Sequence, residues 1–328
     1  MTSENPPWEL VQSLEAQARA QEGEEDRVGL LETLADLATL LRELGEEGRA
    51  RDALGRAYDL ALTTEDQPGA VQALGQLAFL YYLQGGWDRA LDLYHRALTF
   101  QKEAGDQIGI AMTLGNIAEV FHGKRDFPKA LESYEASLAL KMELEDKPGL
   151  AVTWNNIGTV KVRMGDLPGA MEAFGRSLEL QERLGDDGGR AVTLANIGGL
   201  YQRQGSWQDA REVLERSLAL YEMVGDTLGA ATALNNLGFV RRRLGDLDGA
   251  YQSYARAKDL VETMGDLLRL TIPAHNMALI REERGEYREA LRLMEEVIDI
   301  DKRIGHPDLR QDLETFGRIR AKLDRERD

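Results

Sequence analysis

The sequence predicts an all-α fold: an α-α superhelical solenoid of about seven helix hairpins, closed at each end by a capping helix. Three sets of residues in one register predict it. Aspartate recurs every forty residues at Asp26, Asp66, Asp106, Asp146, Asp186, Asp226 and Asp266. Glycine follows the first six of these three residues later, and alanine keeps the same interval from Ala50 through Ala90, Ala130, Ala170, Ala210 and Ala250 to Ala290. A fixed period of about 20 to 50 residues marks one supersecondary unit stacked on copies of itself, each too small to bury its own apolar face.

The elements follow in order. Residues 1–25 hold an N-terminal capping helix, in which Pro7 to Glu22 place Trp8, Val11, Leu14 and Ala18 on one stripe. Residues 26–305 hold the seven repeats, and residues 146–185 show the unit. Asp146 caps a first helix whose Leu150, Val152, Trp154, Ile157, Val160 and Met164 recur at helical spacing, with Pro148 in the first turn, where its missing donor does no harm. Asp166 then caps a second helix that carries Ala170, Phe174, Ser177 and Leu178 inward. Asp126, Ser206, Asp246 and Glu286 are the corresponding caps, preceded in three cases by a glycine (Gly205, Gly245, Gly285) suited to end a helix in the left-handed region. Repeat seven departs, with Arg269 in place of glycine and Pro273 inside the expected first helix, so that helix is expected to start late or bend. Residues 306–328 form the C-terminal cap, with Leu309, Leu313, Phe316, Ile319 and Leu323 expected on one face.

Small Gly158, Ala170 and Ser177 together with Trp154, Val160 and Phe174, and likewise Ala78, Tyr81, Ala90 and Tyr94, or Gly238, Ala250, Tyr254 and Ala257, match a helix–turn–helix pattern. The chain resembles the tetratricopeptide repeat family in its forty-residue form, similar to kinesin light chains, spindle-orientation adaptors and bacterial signalling arrays. That resemblance implies first helices lining a concave groove that binds other proteins.

Composition narrows the function. A net charge of −17 opposes a general nucleic-acid or anionic-membrane binder, which needs a basic footprint. The absence of cysteine removes disulfides, thiol nucleophiles and thiolate metal sites and is compatible with the cytoplasm. No signal peptide or membrane span is visible. His95, His122, His275 and His306 are scattered, without metal-ligand spacing. Gly185 to Gly189 resembles a phosphate cradle superficially, but the same Asp-x-x-Gly recurs as a helix cap and lacks a preceding strand and a nearby lysine. No enzyme, metal or cofactor is expected.

Two ladders on the first helices are the candidate site. Counting by forty gives Asp36, Gln76, Asn116, Asn156, Asn196, Asn236 and Asn276, with Asn155 and Asn235 one residue earlier. Asparagine is an indifferent helix former, so its recurrence in mid-helix needs compensation. Either each amide ties its helix to a neighbour, or the ladder offers a donor and an acceptor per repeat to the backbone of an extended peptide. The family resemblance implies the latter. Seven residues on, two turns along the same face, stand Arg163, Arg203 and Arg243, with Arg242 beside them. In so acidic a chain they suit a partner segment that is acidic or has a free carboxylate, although cations near a helix C-terminus also suit its dipole.

The expected function is therefore a non-catalytic cytoplasmic adaptor for an extended segment of another protein. The alternatives are a bacterial regulatory protein, sensing a peptide or inhibiting a partner enzyme, and a structural subunit of a larger assembly. Receptors of the regulatory kind usually carry an extra domain. The roughly 25 residues ahead of the first repeat therefore favour the adaptor.

Overall fold

The computed structural model describes residues 7–326, and these contain sixteen α-helices and no strand. Contacts divide the chain into two compact units, Met1–Met164 and Gly165–Asp328. The first comprises α1 (Pro7–Glu24), α2 (Arg27–Glu43), α3 (Glu47–Thr63), α4 (Gln67–Leu83), α5 (Trp87–Ala104), α6 (Gln107–Gly123), α7 (Phe127–Glu143) and α8 (Lys147–Met164). The second comprises α9 (Leu167–Leu184), α10 (Asp187–Gln204), α11 (Trp207–Val224), α12 (Thr227–Arg243), α13 (Leu247–Met264), α14 (Leu267–Glu283), α15 (Tyr287–Ile304) and α16 (Leu309–Arg325). Within each unit every helix packs on the next in sequence, α1 lies on α2, α16 lies on α15, and α10 also touches α12.

The turns explain why forty-residue spacing gives this stack. At Asp106 the backbone N–H donates to the Gln101 carbonyl at 2.9 Å and closes α5. The side-chain Oδ1 accepts from the Gly109 N–H at 2.9 Å, and the carbonyl accepts from the Ile110 N–H at 2.9 Å, opening α6. One residue thus satisfies orphan groups of two helices. The glycine gives the carboxylate room, since a Cβ on Gly109 would lie 2.1 Å from Asp106 Oδ2. Lys129 and Arg269 show that the carboxylate can also swing aside, for their N–H groups still donate to Asp126 and Asp266. The residue before each cap lies in the left-handed region. It is glycine at most turns, but Glu25, Glu65, Arg125 and Glu145 occupy the same slot with φ of 57°, 55°, 63° and 54°.

Packing confirms the small-residue positions. All seven register alanines, Ala50 to Ala290, are fully buried. Gly198 and Gly238 allow closer approach still: an added Cβ would sit 2.6 Å from Leu214 Cγ and 2.6 Å from Tyr254 Cε1. The inward serines do more than save space. Ser137 Oγ donates to the Ala111 carbonyl at 2.6 Å and Ser217 Oγ to the Ala191 carbonyl at 2.8 Å, tying second helices to first helices.

Several local expectations need correction. Ser206 and Glu286 make no side-chain cap, and the backbone alone turns the chain there. α14 neither starts late nor breaks at Pro273, but begins beside Asp266 and carries the buried proline in its interior. Val152, Met164, Trp8 and Leu313 are exposed rather than inward. α16 begins at Leu309 because His306 stands in the aspartate position: its Nδ1 accepts the Asp308 N–H at 3.1 Å, which shifts the helix start.

Two glycine replacements separate packing from propensity. Gly238→Ala is expected to destabilise the chain, because overpacking the buried Tyr254 ring costs roughly 1 to 3 kcal/mol against about 1 kcal/mol gained in helix propensity. Gly175→Ala, with nothing within 4 Å, is expected to stabilise by about 0.5–1 kcal/mol. Urea unfolding of both variants measures the difference. A stabilised Gly238→Ala chain would show that the ring gives way freely.

Candidate functional site on the first helices

In the first unit, the ladder positions are not equivalent. Asn116 on α6 is exposed and has no hydrogen-bond partner among the described residues, whereas Asn155 and Asn156 on α8 are half-buried. Asn156 Nδ2 donates to Glu119 Oε1 at 2.8 Å, joining α8 to α6. Glu119 also accepts the hydroxyl of Tyr134 from α7. Burial, and after it the Glu119 charge, pushes the Tyr134 hydroxyl well above the ordinary phenol range, and burial, then Tyr82 and Glu119, does the same to Tyr94, so both stay neutral. Asn156 is therefore a staple in a half-buried polar cluster. Arg163, at the end of α8, is exposed and has no ion-pair partner among the described residues. Lys124 is neutralised by Asp88 at 2.5 Å.

In the second unit, α10, α12 and α14 carry Asn196, Asn236 and Asn276, all half-buried. Asn235 is also half-buried, with its Oδ1 enclosed and without a donor. The cations differ sharply from one another. Arg242 is spent internally, its Nε donating to Glu283 of α14 at 2.9 Å. Arg203 is exposed and has no ion-pair partner among the described residues. Arg243 is exposed and lies over the Trp207 ring, 4.8 Å from its centroid, while Trp207 meets Phe239 edge-on at 6.0 Å. The ring contact fixes the guanidinium without neutralising it. The acids of repeat seven are likewise occupied. Glu282 is buried and takes Arg318 at 2.8 Å and Lys322 at 2.9 Å from α16. Burial raises the Glu282 carboxyl, but these bonds outweigh it and hold the group below the usual carboxylate range.

Sequence reasoning missed an apolar stripe on the same helices. Four residues before the ladder stand Met112, Val152, Val192 and Ile272, all exposed, so each first helix that bears one presents an apolar patch one turn from an asparagine. Subtracting four within the forty-residue register would have found it, had Val152 not been counted with the inward run of its helix. Among the described residues no group of three or more histidines or acids is placed to hold a metal ion, and no helix is long and apolar enough to cross a membrane.

Comparison with known proteins bears on this geometry. The family model described as tetratricopeptide repeat matches residues 69–143, 149–223 and 229–323. No curated protein matches the sequence. Among solved structures, BtubC (BKLC) from P. vanneervenii is similar with 23% identity and a TM-score of 0.61, covering 67% of this chain and 92% of that one. A signal transduction ATPase with a tetratricopeptide repeat sensor from Pyrococcus horikoshii is similar with 12% identity and a TM-score of 0.64, over 95% of this chain and 50% of that one. A Rap protein complexed with competence and sporulation factor shares 15% identity and a TM-score of 0.57, over 98% and 99% of the two chains.

The two environments of the ladder make opposite predictions. Asn156→Ala is expected to lower stability by roughly 1 to 3 kcal/mol, since it strips a donor from the half-buried Glu119 cluster. Asn116→Ala is expected to leave the melting temperature unchanged or to raise it slightly, alanine being the better helix former by up to about 0.7 kcal/mol. Thermal melts of the two single variants check this, and equal losses would mean that Asn116 is a staple too.

Proposed function

The chain belongs to the tetratricopeptide repeat family, and from that premise we propose that it is a non-catalytic cytoplasmic adaptor whose first helices hold an extended, acidic segment of another protein. The observation that carries this reading is the contrast in cation use in a chain of charge −17. Arg242 and Lys124 are neutralised within the fold, yet Arg203 and Arg243 stay exposed and unpaired on successive first helices of the second unit, and Arg163 is in the same state in the first unit. An exposed guanidinium is a fork that fits a carboxylate in two parallel bonds. Asn236 and Asn276, two turns nearer the start of their helices, supply amides to the backbone of the same segment, and Asn116 is an exposed amide at the equivalent position of the first unit. Asn196, Asn155 and Asn235 flank these positions. Neither nucleic acid nor an anionic membrane suits so acidic a surface.

A second reading is a regulator whose ligand alters its hold on a partner, a peptide sensor or an inhibitor of an enzyme. It is favoured by the likeness to the Rap protein solved with competence and sporulation factor, which runs over nearly the whole of both chains. With that coverage, the short segment before the first repeat no longer separates the two readings.

Selecting a random peptide-display library on the wild-type chain is expected to enrich acidic sequences. The enriched peptides should bind several-fold more weakly as ionic strength rises from about 0.05 to 0.5 M, because exposed charge pairs are screened. The Arg203→Glu/Arg243→Glu variant should fail to bind them while melting as the wild type does. Enrichment of neutral or basic peptides, or undiminished binding by the variant, overturns the acidic-segment reading.

A further inference from the structure

The C-terminal end of the second unit contains a charge arrangement found at no other turn of the repeats. In the forty-residue register Asp301, at the end of α15, stands where two earlier repeats bury a neutral amide, Gln101 and Gln181. Asp301 is fully buried, and neither of its carboxylate oxygens receives a hydrogen bond from a donor group of the chain. The carboxylate that acts on it most strongly is Asp312 of the adjoining α16, itself buried. Two adjoining carboxylates form a hydrogen bond only when one carries a proton, and when both are ionised they repel with little solvent screening.

The surrounding groups do not neutralise the pair. His306, in the connecting loop, places Nδ1 3.7 Å from Asp301 Oδ1, beyond hydrogen-bonding distance, and is turned toward the Asp308 N–H. Asp308 adds a further negative charge from the start of α16. His275 of α14 pairs through Nδ1 with Asp312 Oδ1. Farther along the same contact, Arg318 and Lys322 of α16 are engaged by Glu282 of α14, and Lys258 of α13 is engaged by Glu296 of α15. A cavity of about 140 Å³ lined by His275, Asn276, Asp308 and Asp312 gives the cluster access to solvent protons.

We propose that α16 is a proton-controlled cap. One proton shared between Asp301 and Asp312 holds it against α15, and loss of that proton sets two enclosed carboxylates in repulsion and frees it. Release uncovers the face on which Ile319, Phe316 and Leu323 sit, made by Ala274, Ala278, Leu291, Met294 and Val297 of α14 and α15.

The pH window follows from the direction of the shift. Burial, and after it the bond and charge of Asp312, push the Asp301 carboxyl up from 3.8 to about 6 in the folded chain, with His306 opposing. A folded-state value above the unfolded one gives stability that is full at low pH and is lost as pH rises through about 6. Glu282 is shifted the opposite way, so its contribution fails only on acidification below its ordinary 4.5, outside this window.

Hydrogen exchange on the full chain, with each rate divided by the unstructured-peptide rate at the same pH, tests the cap. Protection of Leu309–Arg325 is expected to fall about tenfold from pH 5 to pH 8, while α12 and α13 change little. Asp301→Asn supplies the neutral partner permanently, as the glutamines do at the equivalent positions, and should keep α16 protected at pH 8. Asp312→Asn should also flatten the pH response, from the other side of the pair. Equal wild-type protection at both pH values overturns the proposal, as does an unchanged pH response in both variants or an Asp301→Asn cap that is loose at either pH.

Discussion

Everything in this stack hangs on what a single aspartate does at a turn. Its N–H ends one helix, its carboxylate and its carbonyl begin the next, and its position in sequence therefore fixes both helix lengths together. Because the device recurs at a constant interval, successive hairpins present the same side chains at the same height, and every other regularity follows. Alanines fall at crossings, serines reach the carbonyl of a neighbouring helix, and asparagines line up face by face. Glu46, Gly86, Ser206 and Glu286 keep the register through the backbone alone, and it slackens only at the last turn. At His306 the following helix starts two residues after Pro307 and turns a different face inward, bringing Asp312 and Thr315 into the interior in place of Leu313.

The fold was legible because the signal is repeated seven times, so local exceptions are outvoted. Pro273 would end an isolated helix, yet α14 continues through it with the proline buried. Flanking helices on both sides supply packing that a propensity scale does not contain. Polarity of the faces was harder to read. Val152 and Met164 occur at helical spacing with genuine core residues, and their exposure depends on how much of the circumference of α8 is covered by neighbours. Three side-chain partnerships were invisible in sequence because they join residues 37 to 41 apart across separate helices: Asn156 with Glu119, Arg242 with Glu283 and His275 with Asp312. A forty-residue register does offer a clue to such pairs, since residues about one period apart lie on adjacent equivalent helices.

The candidate surface is accordingly mixed rather than uniform. A position can bind a ligand in one repeat and hold the scaffold in the next without leaving the register, as Asn116 and Asn156 illustrate. The same holds for charge. Arg242 and Arg243 are neighbours in sequence, but a helix turns about 100° per residue, enough to send one to Glu283 and the other to the exposed face of Trp207. Repetition sets where side chains point, while the identity at each point decides whether it is free to meet a partner.

The left-handed residue before each cap has a consequence for the life of the chain as well as its shape. Glycine fills that slot throughout the second unit, but all four exceptions, Glu25, Glu65, Arg125 and Glu145, belong to the first. A residue with a Cβ in this conformation carries roughly 1 to 2 kcal/mol of strain, which relaxes as soon as the turn opens. In a quasi-linear fold, whose stability is summed turn by turn, that strain gives the two units unequal lifetimes. Proteolytic nicking and turnover would then begin in the N-terminal half, at turns marked by glutamate or arginine, while the half that bears Arg203 and Arg243 outlasts it.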